Sequence, residues 1–210
     1  MLAQEHHEDE LIILNAYIIP MLIEIMENKD QVTLLHSSRV QKVINLLIPE
    51  LIKAKIISQE EVPYLWVSAI LHDIGKIFVD DEILLSDKRL NTEEFKNIRY
   101  HSERGFRLIN QLDLPREILL AIKHHHERWD GKQKGKFPGY PDGLKGEAIP
   151  LYARIICIAD AFDAMISERP YKDSLSITNA MRIIKENSGK QFDPGLVRIF
   201  IKTMKKNKKI

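Results

Sequence analysis

The sequence predicts an all-α protein, a single helical domain of about seven to eight helices. Apolar residues recur at helical spacing over most of the 210 residues, and the breakers between these runs are short. No stretch sustains the apolar–polar alternation of a half-buried strand. Helices are expected near residues 8–28, 33–48, 63–76, 92–111, 115–128, 150–167, 177–187 and 194–205. Pro63, Pro115, Pro150 and Pro194 stand at four of these starts, where the first turn has no use for the missing N–H. Thr92-Glu93-Glu94 places acids in a first turn, against the positive end of the helix dipole. Residues 130–146, rich in glycine, proline and charge, read as a loop that is either functional or mobile.

Composition narrows the function classes. Lys and Arg number 31 and Asp and Glu 30, so no basic surface calls for a nucleic acid polymer. Residues 11–26 are apolar, but Asn15, Pro20 and Glu24 interrupt a run already too short to cross a bilayer. This segment reads as an amphipathic helix, and residues 1–30 as an N-terminal helical segment for packing or a dimer contact, ahead of a main domain over 31–210. The lone cysteine, Cys157, lies in an apolar run and reads as a buried structural thiol in a reducing compartment. Residues 1–10 are acidic rather than basic-then-apolar, so no secretory signal is expected and the expected location is cytoplasmic. The basic tail 205–209 reads as a solvated end.

Histidines and aspartates carry the chemistry. His36 shares an apolar face with Val40, Val43 and Leu47. His72-Asp73 closes the run 65–71, with Lys76 one turn beyond His72. His101 lies in a helix of mixed polarity. His124-His125-His126 ends the helix of Ile118, Leu119 and Ile122, and Asp160 sits deep in the apolar run 153–160. One inward histidine is most often a satisfied core residue. Several helices each delivering His or Asp to the core is another matter, because such groups are costly to bury unless paired or bound to metal. Imidazole with carboxylate suits Fe, Mn, Zn or Ni better than Ca or Mg. Seven plausible ligands (His36, His72, Asp73, His101, His125, His126, Asp160) exceed one ion's needs, so two metals sharing a bridging carboxylate are expected, an arrangement that clamps phosphate esters and activates water. Adjacent residues lie about 100° apart on a helix, so His72 and Asp73 can serve one site only from its edge.

His72-Asp73-Ile74-Gly75-Lys76 resembles the signature of the HD superfamily of metal-dependent phosphohydrolases. A wider ordered set resembles its HD-GYP branch: 36–40, His101 with Gly105, 125–131, Gly139-Tyr140-Pro141, 158–165, Arg169-Pro170-Tyr171 and Phe192-Asp193-Pro194. The match runs over roughly residues 33–200. It implies an HD-GYP-type domain over 31–210, a metal centre, and hydrolysis of cyclic di-GMP to linear pGpG or GMP by a metal-activated hydroxide. It also implies that His36, His72, Asp73 and Asp160 hold one ion, and that Asp73 bridges to a second held by His101 and His125. His126 is a further ligand or a substrate contact. Asp73 and Lys76 are the expected catalytic residues, and Lys76, Tyr140 and Arg154 the expected substrate contacts, with Asp163 pairing with Arg154 or Arg169.

Two departures from the branch's pattern shape these expectations. Some members use a Glu one turn before the first histidine to hold a third metal. Here that position is Val32, so two ions are expected, Fe or Mn first and Zn or Ni as alternatives. Residues 132–138 separate Asp130-Gly131 from Gly139-Tyr140-Pro141 and bring Lys132, Lys134 and Lys136 to a lengthened loop, a candidate lid over an anionic substrate. The competing readings are an HD-type nucleotide phosphohydrolase of other specificity and a cyclic-dinucleotide sensor without turnover. No regulatory domain fits in the first 30 residues, so regulation is expected through a homodimer or a partner protein.

Overall fold

A computed structural model of the chain describes residues 17–86, 88, 91–112, 114–135, 138–168 and 174–207. His6, His7, Lys136 and Arg169-Pro170-Tyr171 lie outside these residues, as does the end of the basic tail. Helices α1 (Ile19–Lys29), α2 (Gln31–Lys53), α3 (Val62–Leu71), α4 (Asp81–Leu84), α5 (Thr92–Arg99), α6 (His101–Ile109), α7 (Arg116–His124), α8 (Leu151–Ile166), α9 (Ile177–Glu186) and α10 (Pro194–Lys206) follow in order. Short 3-10 turns stand at Ile74–Phe78 and Gly146–Ala148. The all-α expectation holds: no strand occurs among the described residues, only an isolated bridge between Ser188 and Phe192.

Helix α2 supplies the axis. Its start is set by Asp30, whose carboxylate accepts from the amides of Val32 and Thr33 at 2.9 and 3.2 Å, two donors that have no partner within the helix. That phase puts Thr33, His36, Val40, Ile44, Leu47 and Leu51 on the buried face and leaves Val32 71% exposed. Helices α3 and α8 pack along α2, and α7 packs on both α3 and α8. One apolar cluster fills the space among α2, α3, α8, α9 and α10, with Ile44, Leu65, Ile156, Phe162 and Phe200 fully covered. Burial of each such side chain contributes about 1.5–3 kcal/mol. A second cluster joins α1, α3, α6 and α7 through Leu22, Met26, Leu71, Ile74, Ile109 and Ile122. Helix α1 thus supplies buried residues to the same body that holds α2, while Met21 and Ile25 on its other face, and Tyr17 just before it, are exposed.

Two expected helices are shorter than the apolar pattern implies. The segment predicted as one helix over 63–76 stops at Leu71, and Lys76 stands in the following 3-10 turn. The segment predicted over 92–111 is two helices, α5 and α6, parted at Tyr100. Helix α5 begins at a capping box: Asn91 accepts from Glu93 and Glu94 amides, and Glu94 accepts from the Asn91 amide at 2.7 Å.

The turn after α3 presses against α6 at two glycines. A Cβ on Gly75 would overlap the His101 carbonyl and the Gly105 amide, so only a residue without a side chain allows this approach. Replacement Gly75→Ala should cost at least about 1–3 kcal/mol, the usual penalty for overpacking. It should also weaken metal binding, because Asp73 and His101 flank the contact. An unchanged melting temperature and metal content would show that the two elements are free to separate.

Candidate metal centre

Three histidines reach the site by the same local device. His72 caps the C-terminus of α3, His125 caps that of α7, and His101 follows Tyr100, which caps α5. A helix end leaves carbonyl oxygens without amide partners. Each histidine donates from Nδ1 to a carbonyl three residues back: His72 to Ala69 at 2.8 Å, His101 to Ile98 at 2.7 Å, His125 to Ile122 at 2.8 Å. A carbonyl can only accept, so in each ring Nδ1 carries the proton and Nε2 presents its lone pair. His36 is oriented by a carboxylate instead. Its Nδ1 lies 2.7 Å from Asp163 Oδ2, and Asp163 is held in turn by Arg39, Nε to Oδ1 at 2.8 Å and Nη2 to Oδ2 at 3.1 Å.

These lone pairs converge on Asp73. Its Oδ1 is 3.1 Å from His101 Nε2, and its Oδ2 is 3.3 Å from His72 Nε2 and 4.0 Å from His36 Nε2. His36 Nε2 also lies 3.0 Å from Asp160 Oδ1. Two sets of donor atoms result, each within 4.8 Å: His36, His72 and Asp73 on one side, and Asp73, His101, His125 and His126 on the other. All seven expected ligands are therefore brought together, with Asp160 adjoining the first set. Lys76 Nζ lies 2.6 Å from Asp73 Oδ2, one turn away.

The donor set demands cations. His101 Nε2 and His125 Nε2 face each other at 3.2 Å with both Nδ1 protons already committed, so two lone pairs oppose one another. His72 Nε2 is buried without a hydrogen-bond partner. Each is costly unless an ion stands between the atoms, and imidazole with carboxylate is the donor chemistry of divalent transition metals. Burial favours neutral Asp73, but Lys76, His72 and His101 outweigh it and hold its carboxyl well below the usual carboxylate range. Burial is likewise outweighed at Asp160, chiefly by the His36 hydrogen bond. At His36 burial is opposed by Asp160 and Asp163, which push the imidazole up to about 9, a sign that this point of the cluster attracts positive charge. Burial and the neighbouring His101 push His126 down to about 3, and burial with His126 depresses His125, so both rings are neutral and able to ligate.

Tyr140 lies beside the cluster, its ring tilted on that of His126 with centroids 4.6 Å apart, and its amide donates to the His126 carbonyl at 3.3 Å. It lines a cleft of about 210 Å³ together with His126, Asp160 and Arg99. Arg154 is engaged elsewhere. It pairs with Asp193 at 2.8 Å, and Asp193 caps α10 by accepting from the Gly195 and Leu196 amides. Asp163 likewise pairs with His36 and Arg39 among the described residues, not with Arg154. Asp163 was expected to serve Arg154 or Arg169, and its place behind His36 is a correction to that expectation. The sequence reading passed over Glu127, a buried carboxylate that accepts from the Asp142 and Gly143 amides and ties the chain after Tyr140 to the His125-His126 segment. The lengthened loop is closed at its base by the Gly139 amide on the Lys132 carbonyl at 2.7 Å, with Lys132 and Lys134 exposed.

Comparison with known proteins agrees with this geometry. The HD domain family model matches residues 20–196. The chain belongs to the HD-domain family. A protein of Thermotoga maritima named cyclic di-GMP phosphodiesterase is 37% identical over 193 residues, covering 90% of this chain and 49% of the relative. A 3'3'-cGAMP-specific phosphodiesterase of Vibrio cholerae is 33% identical over 165 residues, covering 79% of this chain and 36% of the relative. The fold resembles that of Bd1817, an HDG"Y"P protein from Bdellovibrio bacteriovorus, with a TM-score of 0.64 at 18% identity over 82% of this chain and 52% of the other. The chain thus spans about half, or less, of the length of the curated relatives it matches. No described helix is long and apolar enough to cross a membrane.

Partners that orient a ligating histidine commonly change metal affinity by about 10- to 100-fold when mutated. Asp163→Asn should therefore lower metal affinity by about that factor, although it removes no ligand. Metal titration of the variant checks this, and wild-type affinity would show that His36 needs no carboxylate behind it.

Proposed function

We propose that the chain is a cytoplasmic metal-dependent phosphodiesterase that hydrolyses a cyclic dinucleotide, with cyclic di-GMP the first candidate and linear pGpG or GMP the product. The observation that carries the reading is the pair of donor sets sharing Asp73, with the Lys76 ammonium beside the shared carboxylate. His36, His72, Asp73 and Asp160 would hold one ion, and Asp73, His101, His125 and His126 the other. Divalent ions there, Fe or Mn by preference and Zn or Ni as alternatives, supply Lewis acidity and lower the pKa of water. Asp73 stays ionised in a buried site and fixes the spacing of its two neighbours. Lys76 places a positive charge where a phosphorane develops its negative charge. Tyr140, packed on His126, shapes the wall against which the substrate seats.

The name of the Thermotoga relative supports cyclic di-GMP. The name of the Vibrio relative, together with the lengthened loop, supports a second reading in which another cyclic dinucleotide is preferred. A homodimer or partner contact through the exposed face of α1 belongs to the same proposal.

Purified protein loaded with Mn or Fe(II) should cleave a cyclic dinucleotide faster than linear dinucleotides or nucleoside triphosphates. Turnover of triphosphates alone would point to an HD-type phosphohydrolase of other specificity, and binding without turnover to a sensor. Lys76→Ala should keep its metals and lose on the order of 100- to 1,000-fold in kcat, as removal of one electrostatic donor typically does. Unchanged turnover would remove Lys76 from the chemistry.

A further inference from the structure

Two guanidinium groups line the cleft beside the metal centre, and they differ in one respect. Arg128 is met by Asp130, Nε to Oδ1 and Nη2 to Oδ2, both at 2.9 Å. Arg99 has no carboxylate within ion-pair distance among the described residues. Its Nε is buried without an acceptor, and Nη2 makes a long 3.4 Å hydrogen bond to the Pro138 carbonyl. The group is nonetheless held in place, 4.5 Å over the Tyr140 ring and 5.9 Å from that of Phe95. A half-buried guanidinium presents a rigid fork of five donors, and leaving it without an anion is costly. Its natural complement is a phosphate, which such a fork grips through two parallel hydrogen bonds.

The cleft holds about 210 Å³, below the roughly 300–1,000 Å³ that encloses a whole ligand, so it suits one part of a larger molecule. Lys76 does not line it. That lysine stands on Asp73, where bond cleavage is proposed, so the site carries two separated positive charges. We infer that Arg99 binds the second phosphate of the substrate, the one not being cleaved, and so selects diesters that carry two phosphates. This rests on the proposed cyclic-dinucleotide reading.

The test compares the metal-loaded wild-type chain with Arg99→Met, which keeps side-chain bulk against Tyr140 and loses the charge, and with Arg99→Lys, which keeps the charge and loses the fork. Calorimetry and steady-state kinetics are run with cyclic di-GMP and with bis(4-nitrophenyl) phosphate, which has a single phosphate. Arg99→Met should weaken cyclic di-GMP binding and raise its KM by on the order of 10- to 100-fold, the span expected for hydrogen bonds to a charged group. Its kcat, metal content and KM for the one-phosphate diester should stay near wild type, and Arg99→Lys should fall between. Unaltered cyclic di-GMP affinity in Arg99→Met overturns the inference alone. So does an equal loss on both diesters, or a loss of metal, because either would make Arg99 a structural support. A wild-type chain that binds no cyclic dinucleotide overturns the proposed function and the inference with it.

Discussion

A helix must end, and its last carbonyl oxygens must find donors. In this chain three such ends are finished by a histidine ring rather than by a glycine turn or water. One proton satisfies the backbone, and the opposite nitrogen of each ring is left unprotonated, those of His72 and His101 beside Asp73 and that of His125 facing His101. Each of these rings thus lies at or beside a helix end, bonded to a carbonyl of the turn before it. The rest of the fold brings those three ends together: α2 and α8 form the wall that carries His36, Asp160 and Asp163, and the glycine contact between the turn after α3 and α6 sets the spacing of Asp73 and His101.

The cost of this arrangement is concentrated at the centre. Opposed imidazole lone pairs and an unpartnered buried nitrogen are costly unless positive charge stands between the atoms. The surroundings compensate only in part. Arg39 and Asp163 polarise His36, while Arg154 is spent on Asp193 at the start of α10. Among the described residues that line the cleft, Arg99 has no carboxylate partner. A cluster so arranged is built for cations at its centre and for an anion beside it, and these are the two needs of phosphodiester hydrolysis.

Much of this was legible in the residues. Helical spacing gave the all-α class, and burial of His and Asp on apolar faces gave the ligand set, because those side chains have no inexpensive reason to lie inside. The breaks at Leu71 and Tyr100 were not legible. Residues 63–76 and 92–111 keep helical periodicity past the breaks, and at each break a ring nitrogen bonds a carbonyl three residues back, a contact that propensity does not register. The orienting role of Asp163 was hidden because His36 lies 127 residues away in sequence. Arg154 was expected to meet the substrate, yet it pairs with Asp193 at the start of α10, a contact that depends on how two distant helices pack.

The arrangement depends above all on Asp73 serving as a carboxylate shared by two metal ions. Anomalous diffraction from crystals of the Mn- or Fe-loaded protein tests it most directly. It should place two ions, one among His36, His72 and Asp160 and one among His101, His125 and His126, each in contact with an oxygen of Asp73. A single ion, or two ions that Asp73 does not touch, would contradict it.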